Sequence, residues 1–166
     1  MIRLPDPDPS SLPAGLPPDP MVKMLSHSPA TVELFVQLAR AQFASLALPA
    51  RSRELVILTV AVTQECSFEL AQHEPIALRA GLEPSALDLI RRGRFDDPLL
   101  SDHDRTLIRF TTTVLAGPAV GDELFASVRA VLAPREIVEV LQVIGYYWTF
   151  SRINTVLQVP LTEVYN

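Results

Sequence analysis

The stretch Glu54–Val62, ELVILTVAV, is apolar on every side after its first residue. Such a run reads either as a strand buried on both faces or as a helix buried all round. Its surroundings decide between the two. From Arg51 to Ala80 there is no glycine, and Pro75 is the one proline. A segment that long without breakers predicts a buried helix rather than a short strand. Glu54 then sits at the edge of an apolar segment, a costly place for a carboxylate unless something pairs or uses it.

Working outward, the rest of the chain also reads as helix. After Pro29, Val32, Phe35, Val36, Ala39 and Phe43 recur at spacings of three and four, one apolar stripe. Pro49 opens the next element. Gly81 followed by Pro84 marks a helix stop and a restart. A short helix is expected from Pro84 to Arg92, then a loop over GRFDDPLLS. SDHD (Ser101–Asp104) has the form of a capping box and opens a helix to Ala116. GPAVG ends it. Asp122–Leu132 forms another helix, and Pro134 opens a last long one with Ile137, Leu141, Ile144 and Trp148 on one face. No alternating strand pattern occurs, so the predicted class is all-α. A faint echo links RELV (Arg53–Val56) to REIV (Arg135–Val138), which would suit two related helical hairpins.

Seven of the 15 prolines fall in the first 20 residues. Proline fixes φ and donates no backbone hydrogen bond, so residues 1–28 are expected to form an extended, proline-rich arm ahead of one helical domain at 29–166.

The totals bound the partners. The chain has 166 residues, 48% hydrophobic, 20% charged, with a net charge of −5. That suffices for one domain with a core. It leaves no basic footprint for nucleic acid; Arg91, Arg92 and Arg94 form a short cluster best read as a solvated helix end. No apolar run reaches the ~18 residues of a membrane span, and MIRLPDPDPSSLP lacks the apolar core of a signal peptide. Cys66 is the single cysteine, so no internal disulfide can form. These features point to a soluble, cytoplasmic protein.

ECSFELAQH (Glu65–His73) carries the densest chemistry. On one helix, residues at i, i+3 and i+7 share a side, which groups Cys66, Glu69 and His73, with Phe68 and Leu70 alongside. If the chain reverses near Thr63–Glu65, Glu54 lies on an antiparallel helix facing this group. Cys66 would then open a helix, where free N–H groups favour a thiolate. An unbroken helix would instead place Glu54 about 18 Å away along the axis.

Glu54, Cys66, Glu69 and His73, at this spacing, resemble the motif of the carboxymuconolactone decarboxylase and alkylhydroperoxidase D-like superfamily. PIALRAGLEPSALDLI (Pro75–Ile90) is similar to that family's stretch after the histidine, and PREIVEVLQVIGYY (Pro134–Tyr147) to its C-terminal helix. The resemblance covers roughly Phe35 to Leu161. It implies an all-helical fold built around a helical hairpin, and a homo-oligomer, trimer or hexamer. It implies a relay glutamate at Glu54, a redox cysteine at Cys66 and a relay histidine at His73. The peroxidase branch uses a CxxC pair; here Glu69 stands in the place of the second cysteine.

That departure leaves alternatives. An intramolecular disulfide cycle is impossible with one thiol. Cys66 could still reduce a peroxide by way of a sulfenic acid and an external thiol reductant. Alternatively, Glu54, Glu69 and His73 could run acid/base chemistry on a small organic acid or lactone. Arg53, Arg109 and Arg152 are candidates for holding a substrate carboxylate. Glu69 and His73 could be two metal ligands, with Cys66 or Glu54 added, but the Glu-x-x-His of di-iron bundles is absent, so neither metal nor cofactor is expected. His27 and His103 are expected to be solvated. A non-enzymatic helical binding module is the remaining reading.

Overall fold

The computed structural model describes residues 2–16 and 19–161. Among the described residues eight α-helices run in order: α1 Pro20–Leu25, α2 Pro29–Ala44, α3 Ala50–Thr63, α4 Ser67–Arg79, α5 Pro84–Arg91, α6 Asp102–Ala116, α7 Asp122–Val131 and α8 Pro134–Leu157. There is no strand among the described residues. The fold is all-α.

ELVILTVAV is the centre of the molecule. All of residues 52–61 are buried. The helix is apolar all round because α3 is packed against α4, α6 and α8 on different sides. Leu55, Ile57, Leu58 and Val60 are fully buried. Each such side chain contributes about 1.5–3 kcal/mol by leaving water.

The chain reverses between α3 and α4 by a Schellman turn. The Cys66 N–H donates to Ala61 O at 2.9 Å, and the Glu65 N–H to Val62 O at 3.1 Å. Glu65 takes the left-handed conformation, φ 54°, that glycine usually fills. Gly81 plays the same part after α4 at φ 93°, with the Leu82 N–H donating to Ala77 O. The first turn makes α3 and α4 an antiparallel hairpin, and Cys66 becomes the residue that opens α4.

Two local expectations change. Ser101 does cap α6 by accepting from the Asp104 N–H at 3.1 Å, but Asp104 does not return the bond. Its carboxylate is taken by Arg51, at 2.7 and 2.9 Å, which also reaches Glu83. Within residues 1–28, Pro9–Ser11 forms a 3-10 turn and Pro20 opens α1, because proline at a first helical position loses no bond. The segment lies against the body: the Arg3 N–H donates to Leu157 O at 2.9 Å, and Asp6 pairs with Lys23 at 2.6 Å.

Candidate active site

Glu54 and His73 meet across the hairpin. His73 Nδ1 lies 2.7 Å from Glu54 Oε2. The other oxygen, Glu54 Oε1, accepts from Arg53 Nη2 at 2.8 Å and Nε at 3.0 Å. Arg53 is permanently charged, so its partner is held as a carboxylate, which can only accept. His73 therefore presents its Nδ1–H to Glu54, and Nε2 is the ring nitrogen left facing away from it. Glu69 Oε1 lies 3.5 Å from that nitrogen. Arg53, Glu54, His73 and Glu69 thus form one line, and all four are buried. The Arg53 guanidinium also lies over the Phe43 ring, 4.3 Å from its centroid.

Glu69 is the unusual member. Burial, with the nearby Glu54 charge adding to it, pushes its carboxyl well above the ordinary range, so the protonated acid is favoured. Its Oε2 has no hydrogen-bond partner.

The line ends in a cavity of about 260 Å³ between α2, α4 and α8. Phe43, Phe68, Tyr146, Tyr147 and Phe150 supply its aromatic wall, and Glu69, Gln72 and His73 its polar groups. Tyr147 stands edge-on to the His73 imidazole, ring centres 5.0 Å apart. Burial, and then the Glu69 and Glu54 charges, push its phenol well above the usual range, so it stays protonated.

Cys66 lies elsewhere. It is not among the residues lining the cavity. Its Sγ points to Asn154 Oδ1 at 3.8 Å. Met21, Met24, Phe68 and Val159 enclose it. The thiolate expected at a helix start is overridden. Burial pushes the thiol pKa up by more than the Glu69 and Phe68 N–H groups pull it down. The hairpin therefore brings together three of the four sequence candidates, Glu54, Glu69 and His73, while Cys66 is walled into a separate cluster.

The arginine candidates separate as well. Arg53 is at the site, but its guanidinium is engaged by Glu54 and by the Gln42 carbonyl. Arg109 is on α6 beside Asp102 and Arg105, away from the cavity. Arg152 bonds Gln64 and lies over Trp148. His27 is exposed and bonds Pro5 O, whereas His103 is half-buried and meets Ser52 Oγ at 3.2 Å. No group of three His, Cys, Asp or Glu among the described residues is placed to hold a metal ion. Sequence reasoning missed the aromatic wall. Its signal was available in GYYWTF, where Tyr146, Tyr147 and Phe150 are spaced to share a helix side.

Residues 29–97, which hold all four motif residues, match the carboxymuconolactone decarboxylase family. The whole fold is also found among solved structures. One is a protein of unknown function from Agrobacterium tumefaciens, provisionally assigned to AhpD-type antioxidant defence. It is 23% identical with a TM-score of 0.73, over 82% of this chain and 94% of that one. The segment thus resembles the carboxymuconolactone decarboxylase family, and the fold is that of AhpD-like solved structures. A second solved structure of this fold is an uncharacterised peroxidase-related protein with an alkylhydroperoxidase AhpD core from Ralstonia eutropha. It is 16% identical with a TM-score of 0.77, over 98% and 93% of the two chains. A third is a cysteine-to-alanine variant of the debrominase Bmp8 in complex with 2,3,4-tribromopyrrole, 13% identical with a TM-score of 0.72, over 92% and 80%. At these identities the likeness is one of fold. No curated protein sequence matches the chain. Among the described residues, no helix is long and apolar enough to cross a membrane.

Proposed function

We propose that this protein is a proton-transfer enzyme, of lyase or isomerase type, acting on a small organic acid or lactone in the cavity beside α4. The observation that carries the reading is the line Arg53–Glu54–His73–Glu69, which opens on that cavity while Cys66 does not. His73 Nε2 takes a proton from a carbon next to the substrate carbonyl. The Glu69 O–H hydrogen-bonds the oxygen on which negative charge then develops. Glu54 stabilises the imidazolium formed, as a carboxylate does behind a catalytic histidine. Return of the proton at another carbon completes an isomerisation.

Hydroperoxide reduction through Cys66 is the second reading. It is favoured by the family's redox branch and opposed by the burial and raised pKa of the thiol. One pair of variants separates the two, assayed on unsaturated lactones and, with dithiothreitol, on cumene hydroperoxide. Under the proton-transfer reading, His73→Ala loses about 100- to 10,000-fold of lactone turnover while Cys66→Ser stays near wild type. Loss of peroxide consumption in Cys66→Ser, with a sulfenic acid trapped on wild type, would replace it with the peroxidase reading.

The chain is further proposed to assemble as a homo-oligomer, trimer or hexamer, through α8. Val138, Leu141 and Trp148 leave an apolar stripe exposed along that helix. Leu141→Glu is expected to shift the light-scattering mass to that of a monomer. A monomeric wild type at micromolar concentration would refute the assembly.

A further inference from the structure

We infer that the cavity selects a small, flat, uncharged carbonyl compound and rejects carboxylate anions. This rests on the proton-transfer reading for the role of the site and narrows its substrate, an organic acid or lactone, to the uncharged lactone. No lysine or arginine lines the cavity among the described residues. Arg53 does not line the cavity: its Nε and Nη2 are paired with Glu54, its Nη1 bonds Gln42 O, and its guanidinium lies over the Phe43 ring. Two carboxyl groups, by contrast, converge on His73. A ligand carboxylate entering here would lose its water and meet no free cation, which costs several kcal/mol for a buried unpaired charge.

The walls argue for the shape. Five aromatic side chains supply faces and edges on which a flat π-system packs in offset or edge-on geometry. A pocket of about 150 Å³ suffices for benzene, so about 260 Å³ holds one ring with a substituent. The substituent has a defined partner. Glu69 Oε2 is buried, borders the cavity and bonds nothing in the protein. As a neutral acid it donates to a carbonyl oxygen; as a carboxylate it would repel an anion. Either protonation state disfavours the charged ligand, so the selection does not depend on which prevails.

Benzamide and benzoate test the inference, because they share shape and size and differ in charge. Titration calorimetry of the full chain at neutral pH is expected to give benzamide a millimolar or tighter Kd and benzoate one at least about tenfold weaker, equivalent to about 1.4 kcal/mol. Ile76 lines the same cavity. Ile76→Trp fills the space and is expected to abolish benzamide binding. Benzoate binding as well as benzamide, neither ligand binding at millimolar concentration, or unchanged benzamide binding in folded Ile76→Trp would each overturn it. These are binding readouts. The proton-transfer reading instead fails on the turnover of His73→Ala, so the two can fall independently.

Discussion

Helix α4 carries two buried polar centres that differ in what surrounds them. At its start, Cys66 faces Asn154 and Ser151 inside an apolar shell that α1 closes with Met21 and Met24. One and two turns further along, Glu69 and His73 face Glu54, Arg53 and a cavity. The two centres are about equally buried, Cys66 at 1% exposure, Glu69 at 2% and His73 at 5%. Burial alone therefore does not make a reactive site. The second centre has groups that can pass a proton in sequence and an opening where a reactant can sit. The first has one weak donor and does not line the cavity.

The largest expected effect comes from removing the charge that anchors the second centre. Arg53→Met keeps much of the stem and its contact with Phe43 but leaves Glu54 buried without its cation. Breaking a buried pair from one side typically costs about 3–5 kcal/mol. The alternative open to the protein is to protonate Glu54, which would release its hold on the His73 Nδ1–H. Either way the variant is expected to be much less stable by urea denaturation, and inactive where folded. An unchanged midpoint with full turnover would mean that Arg53 is a bystander and that the line begins at Glu54.

A smaller effect is expected from Glu69. Its carboxyl is raised in the folded chain above the 4.5 of an ordinary glutamate. Folding therefore favours the protonated form. The stability this confers is complete at low pH and is lost as pH rises through the folded value. Glu69→Gln keeps the shape and a donor but cannot ionise. The unfolding free energy of wild type in urea should fall as pH rises above about 5 more steeply than that of Glu69→Gln, by up to about 1.4 kcal/mol per pH unit crossed. Parallel profiles would mean that Glu69 is ionised throughout and behaves like a solvated acid.

Much of this arrangement was legible from residue order. The length of breaker-free chain around ELVILTVAV identified α3 as a helix, because a buried strand has no need of thirty residues without glycine. The Glu54, Glu69 and His73 spacing suggested a hairpin, and the Schellman turn at Glu65 supplies it with a residue no glycine search would flag. Spacing could not tell which side of α4 would meet water or a cavity. That was set by α1 and α8 closing over Cys66, a long-range packing choice. The RELV and REIV echo misleads for the same reason. In α3, Arg53 and Glu54 pair with each other in the core, whereas in α8 Arg135 bonds Glu139 and Glu136 caps the Ala133 N–H. The same Arg-Glu pair acquires different work from different neighbours.

The smallest effects are expected at Cys66, and they test the comparison most directly. The thiol sits under α1, and burial disfavours the thiolate that alkylating reagents attack. In the native chain, iodoacetamide labelling of Cys66 should be far slower than in urea-unfolded chain. Met24→Ala should speed it by thinning the cover, while leaving turnover intact because Met24 does not border the cavity. Cys66→Ser should change turnover by less than about threefold, since a group outside the reacting geometry contributes none of the ~100-fold or more typical of a general acid or base. Fast native labelling would show a thiol open to solvent, and a large loss of turnover in Cys66→Ser would tie it to the chemistry. Either result would join the two centres of α4 into one site.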